Sequence, residues 1–195
     1  MKLAVLSLAI VTCAISSAQT FTNVSFSTTI PGASAAFVSS GNSFTANLTG
    51  FQISASQLTG DIAWIYDFNS NPVSAFNSVT IEIGGSTING VVDFFGNEKV
   101  FDTSGTPFQV ADGLVNGSGA GGGTFDDWVY TGTYTFSQPV TKGQVHKDIL
   151  FADGFFGTGI SEVRYIKQTF GAVPEPATMA ALGLGVAALL RRRRR

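Results

Sequence analysis

The side chains that could do chemistry in this 195-residue chain are few and scattered: thirteen carboxylates, one histidine and one cysteine. Asp126 and Asp127 form the one adjacent acidic pair. Neighbours on an extended strand point to opposite faces, so these two cannot readily converge as general acid and base. Asp93, Glu98, Asp102, Asp112, Asp148, Asp153 and Glu162 are spread along the chain and read mostly as solvated surface charges. His146 stands alone, which rules out a multi-histidine zinc site. Without a Gly-x-Ser-x-Gly elbow, a Ser–His–Asp nucleophile has no motif to stand on, and His146 reads as an exposed or hydrogen-bonded strand residue.

The glycine-rich stretch from Asn116 to Gly123 invites a phosphate-binding reading, yet no Lys-Ser or Lys-Thr opens a helix after it. Thr124-Phe125-Asp126-Asp127 follows and leads into a strand, so a flexible hairpin loop dividing the strands into two groups is expected. Loop carboxylates could hold a structural calcium, but there is no EF-hand spacing and no ligand to name. No catalytic, cofactor-binding or metal-ligating residue is assigned, and the chain is not expected to be an enzyme. Sugar binding is the most specific activity in view, and sugar platforms usually expose Trp or Tyr. Trp64 and Trp128 both sit on alternating apolar faces and read as core. Most of the other aromatics are among the 17 Phe, a packing residue.

The elements that must carry these residues are strands. Val24, Phe26, Thr28 and Ile30 fall on one face, as do Phe44, Ala46 and Leu48. The same period of two runs through Ile62-Trp64-Tyr66-Phe68, Val79-Ile81-Ile83, and Trp128-Tyr130 on to Tyr134 and Phe136. Turn signals punctuate them at Pro31-Gly32, Gly41-Asn42, Asn71-Pro72, Gly84-Gly85, Asn89-Gly90 and Gly96-Asn97. Ser54 to Leu58 could make a turn, and no long amphipathic helix precedes the last residues. An all-β fold follows: a single antiparallel β-sandwich or jelly-roll-like domain over residues 19–171, with Gly171 to Pro176 as a linker.

Composition agrees. Apolar residues make up 44% and charged residues only 12%, with 23 glycines. The formal charge of −2 hides an asymmetry, because Lys2 and five terminal arginines hold six of the eleven basic residues. Between Gln19 and Val173, five basic residues face twelve acidic ones, about −7. An acidic body argues against nucleic acid, whose affinity rests on neutralising phosphates.

Both ends read as addresses. Lys2 precedes an apolar run from Leu3 to Ile15, and Ser16-Ser17-Ala18 sets small residues before a cut between Ala18 and Gln19. This is the layout of a signal peptide over residues 1–18. Cys13 lies inside it, so the mature chain would have no cysteine. At the other end, Pro174, Glu175 and Pro176 precede an uncharged apolar run from Ala177 to Leu190, then Arg191, Arg192, Arg193, Arg194 and Arg195. As a helix those 14 residues would be apolar all round and about 21 Å long, short against a hydrocarbon core of about 30 Å. Snorkelling arginines recover part of the shortfall and favour the cytoplasmic side.

The Pro-Glu-Pro motif, the short hydrophobic run with its Gly-Leu-Gly, and the arginine cluster, in that order, resemble the PEP-CTERM sorting domain of bacterial exported proteins. The resemblance covers residues 172–195. It implies a bacterial source, recognition by the membrane-embedded enzyme exosortase, cleavage near the Pro-Glu-Pro motif, and transient anchoring by a transmembrane helix before delivery to the envelope or exterior. It implies nothing about the body. The expectation is a non-enzymatic structural protein of the envelope or biofilm matrix, its partners being the exosortase, the membrane and extracellular polysaccharide. A secreted carbohydrate-binding β-sandwich is the alternative, and a secreted hydrolase comes third.

Overall fold

The alternating patterns become strands in the structure, a computed structural model that describes residues 19–70, 74–121, 126–153 and 159–173. The strands are β1 (Thr20–Thr28), β2 (Ser34–Ser40), β3 (Ser43–Thr49), β4 (Gln52–Ser54), β5 (Thr59–Asn69), β6 (Phe76–Ile88), β7 (Gly90–Asp102), β8 (Phe108–Gly121), β9 (Asp126–Val140), β10 (Lys142–Asp153) and β11 (Ile160–Ala172). They form a five-stranded sheet, β1-β5-β10-β7-β8, and a six-stranded one, β2-β3-β11-β6-β9, with β4 added against β11. Every pairing is antiparallel. The all-β sandwich expected from the sequence is the observed architecture. The predicted signal peptide, C-terminal helix and Asn71-Pro72 turn lie outside the described residues.

Alternation puts one face of each sheet into a shared core. Ile62, Trp64, Tyr66 and Phe68 of β5 are buried together with Val145, Ile149 and Phe151 of β10. Across from them lie Phe44 and Ala46 of β3, Ile81 and Ile83 of β6, and Ile166 and Phe170 of β11. The phenylalanines supply the filling. Phe37 stacks on Phe44 at 5.6 Å, Phe44 meets Tyr66 at 4.6 Å, and Phe170 meets both Phe68 and Phe76 at 4.9 Å. Such pairs stabilise by about 0.5–1.5 kcal/mol beyond the area they bury. Trp64 and Trp128 are both core, as their faces predicted.

Several local expectations fail, and glycine accounts for most of them. Gly84-Gly85 and Gly96-Asn97 do not turn the chain; they lie inside β6 and β7. A Cβ on Gly96 would sit 2.1 Å from the Asp148 carbonyl oxygen, and one on Gly84 would sit 2.3 Å from the Tyr165 ring. These glycines permit close approach rather than a turn. The stretch from Asn116 is likewise not a loop as far as Gly121, because β8 runs through it and pairs with β7 to Gly121. Its inward positions 113, 117 and 119 lie beneath the rings of Tyr134, Tyr130 and Trp128 from β9. Aromatic rings thus cover bare backbone where side chains would otherwise stand. Pro31-Gly32, Gly41-Asn42 and Asn89-Gly90 do mark chain reversals or breaks between strands, and residues 55–56 turn as expected.

Two further corrections concern the ends of the body. Val24 does not share the inward face of Phe26: a bulge between Thr22 and Ser25, with Asn23 at φ 53°, turns it outward. Gly171 and Ala172 are not linker but the last residues of β11. The final described backbone hydrogen bond runs from the Val173 N–H to the Ala75 carbonyl at 2.7 Å.

Candidate functional site

Three places gather functional groups, and the deepest is in the core. Lys147 of β10 is the register partner of Glu98 on β7 and of Trp64 on β5, so the three side by side cross the inner face of the five-stranded sheet. Glu98 and Lys147 form an ion pair with both side chains fully shielded from solvent. Gln168 of β11 reaches in from the opposite sheet, donating from Nε2 to Glu98 Oε1 at 2.6 Å. Its Oε1 accepts from the Tyr66 hydroxyl at 2.6 Å. A carboxylate offers only acceptors, which fixes the orientation of the Gln168 amide. The Lys147 ammonium lies 5.5 Å from the centre of the Trp64 ring. Burial lowers the Lys147 pKa, against the pull of Glu98, and burial followed by the Glu98 charge raises that of Tyr66.

This cluster corrects the view of Glu98 as a surface charge. Its position was encoded by parity: Val92, Phe94, Glu98 and Val100 alternate on one face of β7, and Val145, Lys147, Ile149 and Phe151 on one face of β10. Asp102 is also buried, accepting from the Ser104 backbone N–H at 2.8 Å and from Gln138 at 3.3 Å.

The second place is the outer face of the five-stranded sheet. Phe95, Leu114 and Leu150 are 60%, 68% and 44% exposed on neighbouring strands. A shallow hollow of about 210 Å³ beside them is lined by Phe95, Gly96, Asn97, Asp148 and Leu150. Asp148 shares a hydrogen bond with Asp61; burial first, then that bond and the Asp148 charge, raise the Asp61 pKa. Two carboxyl groups do therefore meet, but on an open sheet and in hydrogen-bond contact. The pair in a glycosidase stands about 5 Å or more apart to admit the scissile bond.

The remaining sequence candidates do not converge. Asp93 and Asp112 are exposed on β7 and β8. Asp127 and Glu162 share Arg164 at 2.8 and 3.3 Å. His146 lies half-buried, its Nε2 2.6 Å from Gln144 Oε1 and its ring against Phe101, in keeping with a hydrogen-bonded strand histidine. Among the described residues no three His, Cys, Asp or Glu side chains cluster as a metal site requires.

The third place is the tail, at residues 174–195 beyond the last described residue. Residues 172–195 match the PEP-CTERM protein-sorting motif. The chain carries a PEP-CTERM sorting signal. A signal of this kind belongs to exported proteins, as the resemblance implied. No curated protein matches the chain. Among solved structures, TmCBM61 in complex with β-1,4-galactotriose aligns over 76% of this chain and 89% of its own, at 9% identity and TM-score 0.37. The N-terminal cellulose-binding domain of Cellulomonas fimi β-1,4-glucanase C aligns over 71% and 82%, at 12% identity and TM-score 0.27. The enzymatically active domain of bacteriophage CBA120 tailspike protein 4 aligns over 76% of this chain and 19% of its own, at 11% identity and TM-score 0.34.

Proposed function

We propose that this PEP-CTERM protein is a non-enzymatic structural component of the bacterial envelope or extracellular matrix. In this reading an exosortase removes its anchor at Pro174-Glu175-Pro176 and delivers the sandwich to the exterior. The observation that carries it is where the sorting signal sits: it begins as β11 ends at Ala172, so a cut near the motif leaves every described strand intact. The test is to express the chain with and without an exosortase and weigh the product. Loss of the segment after Pro176 in the exosortase host alone is expected. A tail uncut in both hosts overturns the reading.

A second reading, a carbohydrate-binding module, is favoured by the outer face of the five-stranded sheet. A pyranose could lay its apolar face on Phe95 while Asp148 and Asn97 take its hydroxyls, since sugars offer both a C–H face and hydrogen-bonding edges. Phe95→Ala, which leaves the core untouched, is then expected to abolish retention on whichever polysaccharide the unaltered chain binds. A glycan array on which the chain binds nothing removes this reading.

A further inference from the structure

We propose that the core cluster is an autocatalytic cross-linking site, in which Lys147 Nζ displaces ammonia from the Gln168 side chain to join the two sheets by an amide bond. Four side chains hold the four roles such a reaction needs. The nucleophile is the Lys147 amine. The electrophile is Gln168 Cδ. Glu98 lies between them, with Lys147 Nζ on Oε2 and Gln168 Nε2 on Oε1, so one carboxylate touches both the attacking and the departing nitrogen. Tyr66 donates to Gln168 Oε1 at 2.6 Å, where negative charge would develop.

The steps balance without a co-reactant. Glu98 takes a proton from the Lys147 ammonium, leaving a neutral amine and a neutral acid. The amine lone pair forms the N–Cδ bond, and the carbonyl electrons move to Oε1 under the Tyr66 hydroxyl. Glu98 passes a proton to Nε2 while accepting one from the incoming nitrogen. The Cδ–Nε2 bond breaks and ammonia leaves. The products are one secondary amide, one ammonia and a protonated Glu98.

The surroundings favour this sequence. Lysine is a nucleophile only as the free amine, and burial among Trp64, Tyr66 and Ile149 works against its charge. The same burial keeps water from hydrolysing the amide. Register holds Lys147 beside Glu98, and hydrogen bonds to Glu98 and Tyr66 hold the Gln168 amide over them, so no encounter is needed. Well-oriented intramolecular reactions reach effective concentrations of about 10⁵–10⁸ M. A buried ion pair by itself is a weak stabilising device, often no better than apolar residues of the same volume. As the reactants for a covalent bond, the same residues have a chemical use. The bond would tie β10 of one sheet to β11 of the other, in a chain whose single cysteine, Cys13, precludes any internal disulfide.

The test is a peptide map of the full chain purified from cells. Trypsin cannot cut after a Lys147 whose amine is acylated. The expected product is the peptide from Gly143 to Arg164, uncut after Lys147 and joined to the peptide that begins at Gln168, lighter than the two together by one ammonia. Intact mass alone does not suffice, because cyclisation of an N-terminal Gln19 loses the same mass. Cleavage after Lys147 together with an unlinked peptide beginning at Gln168 would overturn the proposal. Glu98→Gln keeps the shape and is expected to abolish the joined peptide; its survival in that variant removes Glu98 from the reaction. Tyr66→Phe is expected to slow bond formation by about 10²–10³-fold, the effect of losing one oxyanion donor.

Discussion

Lys147→Met is expected to lower the unfolding free energy by about 3–5 kcal/mol, because it leaves Glu98 buried without its cation. The side chains are of similar length, so packing changes little and the loss is electrostatic. Gln168 still donates to Glu98, but a neutral amide does not replace an ammonium in a site shielded from water. Urea unfolding of the full chain measures the loss. The double variant Lys147→Met, Glu98→Met removes both charges and is expected to regain the electrostatic part of the loss, as apolar replacements of whole buried pairs commonly do, but not the part that the covalent bond contributes. An unaltered protein that resists urea far beyond the double variant would carry the mark of the covalent bond, which neither variant can form. A single variant within about 0.5 kcal/mol of the parent, the scale of a surface substitution, contradicts the buried pair itself.

Gly119→Val is expected to be strongly destabilising although it lies outside that cluster. The Cβ of any residue there would lie 2.3 Å from Trp128 Cδ2, and the atom it meets belongs to a rigid ring. The indole cannot simply swing aside, since its Nε1 donates to Thr87 Oγ1 at 3.0 Å and its face stacks on Phe94 at 5.8 Å. Overpacking of a formed core costs about 1–3 kcal/mol, occasionally more, and valine should reach the upper part of that range. Gly105→Ala provides the control: nothing lies within 4 Å of its Cβ, and no measurable change is expected. Thermal unfolding followed by near-ultraviolet circular dichroism reads both. Equal melting temperatures for the two variants would refute the aromatic-over-glycine packing.

The same two features explain what could be read from the sequence. Strands β1, β3, β5, β6 and β9 announced themselves by apolar alternation, even though a bulge turns Val24 outward in β1 and Gly132 interrupts the run in β9. Strands β7 and β10 did not, because Gly96, Glu98 and Lys147 occupy inward positions and interrupt the pattern. Strand β8 was hidden more thoroughly, as Gly113, Gly117 and Gly119 give no apolar signal and the residues that fill their space stand on β9. The core cluster was half legible. Parity alone placed Glu98 and Lys147 inward once their strands were recognised. That they are register partners depends on β10 pairing with β7, a contact between distant segments that no local pattern encodes. The sorting signal was legible in full because it is read as a linear motif and depends on no pairing.

Strand β11 also decides how the protein responds to tension. It lies inside the six-stranded sheet, bonded to β6 on one side and to β3 and β4 on the other. A pull on the chain beyond Ala172, directed along the strand, loads both ladders in shear, so many hydrogen bonds must yield together. An edge strand pulled from its end would peel one bond at a time. A tail that anchors the chain before the proposed cut would therefore lead into one of the most strongly gripped parts of its body, and drag on the sandwich would be spread across the sheet instead of fraying it.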